Sequence, residues 1–155
     1  MTFKEIVYSD IDSKFFFYSE IINCNFNRLY GMQYAAFTAS WSYVRVANEY
    51  PPSSMPNQMQ LYTISNNLVD DRGIIGVDKQ TFFSIENLVF INNTSKLKAS
   101  ALQLGSEAFG NVSNTLFLSN NAVFGTVVIE SGSKVNLVNC TFERNYAIDS
   151  SGFYA

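Results

Sequence analysis

One seven-residue pattern recurs along the chain and limits what it can fold into. The segments Asn87 to Asn93, Asn114 to Asn120 and Asn139 to Asn145 all read N-x-x-F-x-x-N, centred on Phe90, Phe117 and Phe142. The phenylalanines stand 27 and 25 residues apart. Two weaker copies lie upstream. One is centred on Phe26, with Asn23 before it and Leu29 in place of the second Asn; the other is centred on Thr63 and ends at Asn66. The flanks repeat as well. Seventeen residues before each strong Phe stands a small residue, Gly73, Ser100 or Gly125, which opens an alternating run such as Ile75 and Val77 or Val127 and Ile129. A second alternating pair precedes each motif: Phe83 and Ile85, Gly110 and Val112, Val135 and Leu137.

Alternation of period two means strands with one buried face, and no stretch carries a helical period. A unit of about 25 residues cannot bury its apolar face alone, so neighbouring units must supply the core. The chain is therefore expected to be all-β: a right-handed parallel β-helix of about five coils, with three short strands and small corner residues per coil. Leucine-rich repeats have a similar length, but their L-x-x-L-x-L consensus is absent. A globular sandwich is the other alternative, and the fixed offsets argue against it.

Equal positions of successive coils lie above one another. Phe26, Phe90, Phe117 and Phe142 are then expected to form an internal aromatic stack, with Thr63 as a gap. The asparagines fall where the chain should turn, and Asn both tolerates turn conformations and bonds along a stack. One ladder is expected through Asn87, Asn114 and Asn139, with Asn23 below it. A second is expected through Asn66, Asn93, Asn120 and Asn145. A row of sugar-binding amides is the functional alternative to these corners. Cys24 and Cys140 share one position four coils apart, roughly 19 Å of rise at a strand spacing near 4.8 Å, too far for a disulfide. They are expected to be free thiols.

The spacing from Phe26 to Thr63 is 37 residues, about a dozen too many. All three prolines (Pro51, Pro52, Pro56) fall within residues 47–58, and proline does not sit inside a sheet. A protruding loop is expected there, on a single domain spanning residues 1–155. Residues 1–8 are judged too short to cap the first coil. Ala155 arrives as another strand begins. The expectation is a section of a longer rod, with protein partners or further copies stacking on its open ends.

Composition excludes several functions. The net charge is −3 with 10 Lys+Arg and 13 Asp+Glu, which lacks the basic stripe of a nucleic-acid binder. No His is present, so the commonest general base and zinc ligand are missing. No run of 18 apolar residues suggests a transmembrane helix, so no membrane insertion by this segment is expected. Candidate carboxylates, Asp70 and Asp71 beside Arg72 and Asp10 with Asp12, do not recur on neighbouring coils as a lengthwise catalytic cleft would need. No P-loop, nucleophile elbow or C-x-x-C is found. No catalytic residue, metal or cofactor is expected. Asn92, Asn93, Asn111 and Asn139 begin N-x-S/T sequons. Of these, Asn111 and Asn92 are expected to face solvent, and Asn93 and Asn139 to be inaccessible within the ladders. In the run Phe15 to Tyr18, Phe16 and Tyr18 are expected to face outward, where aromatics can stack sugars or meet a partner.

The F-x-x-N copies (Phe90 to Asn93, Phe117 to Asn120, Phe142 to Asn145), each followed by a small residue and an aliphatic run, resemble the polymorphic outer membrane protein repeat. The usual G-G-A-I run corresponds here to Ser100-Ala-Leu, Gly125-Thr-Val and Ser151-Gly-Phe. The resemblance covers residues 73–155 well and residues 1–66 loosely. It implies a right-handed β-helix of the pectin-lyase-like superfamily and an extracellular or cell-surface structural or adhesive rod. It implies no catalytic residues. The expected function is thus a non-enzymatic structural segment of a surface or extracellular protein or filament. A carbohydrate-binding or adhesive module is the alternative, and a polysaccharide-active enzyme is third.

Overall fold

The computed structural model describes residues 2–9, 15–22, 24–40, 42–47 and 63–154. These form a parallel β-helix. Strand β1 (Thr2–Ser9) stands apart from the repeat. The first coil is β2 (Phe15–Ile22), β3 (Phe26–Asn27), β4 (Tyr30–Gly31) and β5 (Phe37–Ser40). The second is β6 (Ser42–Ala47), β7 (Thr63–Ser65), β8 (Leu68–Val69) and β9 (Ile75–Asp78). The third is β10 (Phe82–Glu86), β11 (Val89–Ile91), β12 (Thr94–Ser95) and β13 (Ala99–Leu104). The fourth is β14 (Phe109–Ser113), β15 (Leu116–Leu118), β16 (Asn121–Ala122) and β17 (Gly125–Ile129). The fifth is β18 (Lys134–Val138), β19 (Thr141–Glu143), β20 (Tyr146–Ala147) and β21 (Ser150–Tyr154). Each coil thus has four strands rather than the three expected, because the two-residue strand after each motif is too short to show alternation. Like strands stack into sheets A, B, C and D, in coil order. No helix occurs among the described residues, and so none that could cross a membrane.

The column Phe is set by register. Phe26 pairs with Ile64, Ile64 with Phe90, Phe90 with Phe117, and Phe117 with Phe142. Ile64, not Thr63, therefore fills the second coil, and the expected gap does not exist. Register turns Ile64 inward between Phe26 and Phe90, where it is fully buried. Phe90 and Phe117 are fully buried; their rings stack at 5.1 Å, and Phe117 stacks on Phe142 at 4.6 Å. Phe26 and Phe142 close the column as half-buried ends.

The same one-residue shift corrects the buried ladder: it runs through Asn67, Asn93, Asn120 and Asn145, and Asn66 is an exposed corner beside it. Each rung is bonded alike. Asn93 Nδ2 donates to the Ile64 carbonyl (2.8 Å) and to Asn120 Oδ1 (3.0 Å), while Asn93 Oδ1 accepts from the backbone N–H (3.1 Å) and Nδ2 (3.0 Å) of Asn67. Asn120 and Asn145 repeat the pattern onto Phe90 and Phe117. At the first coil, where Leu29 replaces Asn, only its backbone N–H reaches Asn67 Oδ1 (2.9 Å).

The other asparagine column has a different cause. Asn87, Asn114 and Asn139 have φ of 58°, 48° and 52°, the left-handed region that Asn tolerates better than other non-glycine residues. They turn the chain from sheet A to sheet B. Asn139 Nδ2 donates to Asn114 Oδ1 at 2.7 Å, so a ladder bond is present too, but this corner lies at the surface. Asn139 is exposed, contrary to the expectation of inaccessibility, because its backbone conformation turns the side chain outward rather than under the coil. Asn23 lies outside the described residues. The distinction is testable: Asn114→Gly should change stability by no more than about 1 kcal/mol, because glycine adopts the same φ freely. Asn120→Gly should cost several times more in the same urea titration.

Between the second and third coils, sheet A contributes Val44, Phe83, Val46 and Ile85 to the interior, sheet D contributes Ile75, Val77, Leu102 and Leu104, and all are buried. Gly110 sits against Phe83: a Cβ there would strike the Phe83 carbonyl and ring. Strand glycine here marks close approach of a large neighbour. The coil lengths of 27 and 25 are reconciled at sheet D. Thr94 to Ala99 is one residue longer than Asn121 to Gly125, and a bulge adds a second between Ala99 and Leu102 relative to Gly125 and Val127.

The extra chain in the second coil lies between Ala47 and Thr63, where other coils need two or three residues. The expected loop at residues 47–58 falls, apart from Ala47, outside the described residues. At the other end of sheet A, β1 pairs antiparallel with all eight residues of β2, from Thr2↔Ile22 to Ser9↔Phe15. The chain start was judged too short to cap the coil; it instead covers that sheet's edge by doubling back, a pairing that rung periodicity cannot reveal. Cys24 and Cys140 are free, as the spacing requires; burial pushes the Cys140 thiol pKa up.

Candidate functional site

The outer face of sheet A carries the most distinctive surface. Register places Tyr18, Tyr43, Phe82, Phe109 and Lys134 in one row, one residue per coil. Alternation turns Tyr43, Phe82 and Lys134 outward, because the next residues on their strands, Val44, Phe83 and Val135, pack inside, and Phe109 holds the same register position between Phe82 and Lys134. Phe82 is 51% exposed and Tyr43 39%. The rings of Phe82 and Phe109 lie 5.9 Å apart, tilted by 32°. Tyr18 was expected to face outward from the sequence; it holds the matching register position, while Phe16 pairs with Tyr8 of β1. The rest of the row was missed. Its signal is an aromatic eight residues before the column Phe, at positions 82 and 109, which the inward alternation obscures.

Two residues earlier runs a corner row, Gln80, Glu107 and Gly132, with φ of 54°, 60° and 82°. Gln80 Nε2 donates to Glu107 Oε2 at 2.8 Å. Gly132 ends the row without a side chain, and an open cleft of about 510 Å³ is lined by these three residues with Phe82, Phe109 and Lys134. On the other side of the aromatics lies a polar row. Arg45 Nη2 meets Glu86 Oε2 at 2.9 Å and Arg45 Nη1 meets Glu20 Oε1 at 3.4 Å. Ser84 donates to Glu86 at 2.6 Å, and Asn136 Nδ2 donates to Asn111 Oδ1 at 3.0 Å.

The Arg45 hydrogen bond, helped by Ser84, holds the Glu86 carboxyl below its ordinary range despite partial burial. A carboxyl lowered on folding adds stability at neutral pH and loses it as pH falls through the folded-state value. Wild type should therefore lose more melting temperature than Glu86→Gln between pH 7 and acid pH. Equal slopes in a pH series of thermal melts would exclude the contribution.

Of the carboxylates singled out from the sequence, Asp70 is engaged in ion pairing and hydrogen bonding. Asp70 is paired with Lys96 (2.6 Å) and accepts the Tyr30 hydroxyl. Lys96 first, and Tyr30 second, lower its pKa, and the Asp70 bond raises that of Tyr30. Arg72 Nη1 meets the Tyr34 hydroxyl at 3.0 Å and Asp78 at 3.6 Å, with its guanidinium 5.8 Å from the Tyr34 ring centre. Asp70 is thus tied to an ammonium and a phenol, an arrangement that ties a loop to the next coil. Asp10 and Asp12 lie outside the described residues. No group of three or more His, Cys, Asp or Glu suited to a metal occurs among the described residues. Of the sequons, Asn92 and Asn111 are exposed, Asn139 is exposed, and Asn93 is fully buried.

Comparison of the chain with protein-family models, with curated proteins and with solved structures finds no match. The fold and its surfaces are therefore the basis for a functional reading.

Proposed function

We propose that this chain is a non-enzymatic structural segment of a surface-displayed or extracellular β-helical rod, of the kind that the resemblance to the polymorphic outer membrane protein repeat implies. One observation carries the reading: from the second coil to the fifth, the interior columns and the buried Asn ladder recur, and the fifth coil offers its next neighbour the same groups that each earlier coil offers its own. Val135, Leu137 and Phe142 are only half-buried there, and Asn145 sits in ladder position. A coil of another copy stacked there would extend each column. The exposed sequons at Asn92 and Asn111 fit a secreted setting.

Sedimentation over a concentration series, with electron microscopy of the concentrated sample, tests this. The expected result is reversible end-to-end association into thin rods, abolished by Leu137→Lys, which puts a charge in the column. A chain that stays monomeric at every concentration and releases reducing ends from polysaccharides would overturn the reading.

A further inference from the structure

We propose that the outward aromatic row of sheet A, with the cleft at Gly132, binds an uncharged glycan chain laid along the β-helix axis. This goes beyond the rod reading and does not depend on it. Four features argue for that ligand.

Large aromatics that reach the surface of a rigid sheet side by side are unusual for a surface with no partner: Phe82 is half exposed, Tyr43 somewhat less, and Phe109 beside them is partly buried. Here they are in line: Tyr43, Phe82 and Phe109 are one per coil, at the roughly 4.8 Å step of stacked strands, close to the length of one sugar in an extended chain. A pyranose ring has an apolar C–H face and a polar rim. The row offers aromatic surface to the first, and the flanking residues offer hydrogen bonds to the second. On one flank these are the Gln80 amide and the Glu107 carboxylate; on the other, the amides of Asn111 and Asn136; and the Lys134 ammonium ends the row itself.

Charge selects within the glycans. The cleft carries one carboxylate, Glu107, and one ammonium, Lys134, so it has no net charge to attract a uronate or a sulfated chain. Width selects against a protein. A stable protein interface needs about 800 Å² per partner with an apolar centre, whereas this apolar strip is one side chain wide and is bounded by the polar Gln80–Glu107 and Arg45–Ser84–Asn111 rows. Finally, the cleft is opened by the sequence itself. Gly132 occupies the corner position where Gln80 and Glu107 carry long side chains, which leaves space beside Phe109 and Lys134.

The test is calorimetric titration of the unglycosylated 155-residue chain with cellohexaose, mannohexaose and laminarihexaose, and with a galacturonate hexamer as the charged comparison. At least one neutral hexaose should bind. Phe82→Ala and Phe109→Ala should each weaken it about tenfold, as loss of a central aromatic does. Gly132→Gln should weaken it by filling the cleft. Tyr146→Ala, an exposed aromatic of sheet C, should leave it unchanged. Thermal melts of each variant establish that it is folded, and because Phe82 is at the surface its replacement leaves the core intact. Protein carrying a glycan on Asn111 should bind more weakly, since that residue shares the face. The proposal is overturned by any of three results: no neutral hexaose binds; the galacturonate hexamer binds best; or binding survives the Phe82→Ala, Phe109→Ala double variant. Self-association lost on Phe82→Ala would also overturn it, by making the row a contact between copies.

Discussion

Replacing Asn93 by Ala should destabilise the chain by about 2–4 kcal/mol, since a buried polar group left without a partner costs about 1–3 kcal/mol and each further hydrogen bond lost about 1 kcal/mol. Asn93 is fully buried. Its loss orphans the Asn67 backbone N–H and removes the second hydrogen bond of the Ile64 carbonyl, which the parallel pairing of β7 with β11 leaves with a backbone donor. Asn67 Nδ2 keeps the Phe26 carbonyl, and Asn120 Oδ1 keeps the Asn93 backbone N–H, so the ladder is interrupted rather than dissolved. Asn93→Asp separates hydrogen bonding from shape. Its carboxylate can still accept from Asn67, but it faces the Ile64 carbonyl and Asn120 Oδ1 with oxygen instead of N–H. At neutral pH it should be worse than Ala. Burial and these oxygens raise the folded-state pKa of that new acid above its unfolded value, so the deficit should shrink as pH falls through the raised value, where the acid can donate one bond. Urea denaturation at neutral and acid pH gives both numbers. A cost for Asn93→Ala under about 1 kcal/mol would mean that water replaces the amide and that the ladder is incidental.

Phe117→Ala should cost a comparable amount, about 3–5 kcal/mol, the usual range for deleting a buried aromatic. Phe117 is the one column Phe with a stacked ring on both sides, Phe90 and Phe142. Neighbouring coils are fixed by strand pairing on four sides, so they cannot collapse into the void. The effect should be local in a way that a globular core would not permit. In a solenoid each coil touches only its neighbours, so hydrogen exchange should accelerate first in the third, fourth and fifth coils and last in the first and second. Uniform loss of protection would argue for a single cooperative unit. The equivalent change at Phe26, a half-buried end of the column, should cost less.

Much of this was legible in the sequence. Three copies of N-x-x-F-x-x-N with a matched alternating flank define the coil, the phenylalanine stack and the ladder positions Asn93, Asn120 and Asn145. Two free cysteines follow from counting coils. The second coil was misread by one residue because Thr63 and Asn66 fit the pattern nearly as well as Ile64 and Asn67. The 15 residues between β6 and β7 also remove the spacing that would have decided between them. Only pairing with Phe90 on one side and Phe26 on the other fixes which residue points inward.

The candidate site was less legible for a related reason. Local periodicity says which residues of one strand face out. Whether outward residues of five strands, each 25 or more positions apart, make a continuous row depends on the register between coils. Tyr43, Phe82 and Phe109 are ordinary aromatics in the sequence and become a strip only when the coils stack. Likewise the two asparagine columns look equivalent as letters. One is there for a left-handed φ at a surface corner, the other for four hydrogen bonds in the interior.

The sequence by itself therefore determined the unit: its length, its all-β character and the residue types that stacking demands. Those follow from side-chain periodicity and from the need of one apolar face for another. The tertiary structure alone decided the four-sided cross-section, the capping of sheet A by β1, the exact rung occupied by Ile64 and Asn67, and the aromatic row with its cleft. These depend on alignment between coils, which is set by backbone hydrogen bonds between distant segments and leaves no mark within any one of them.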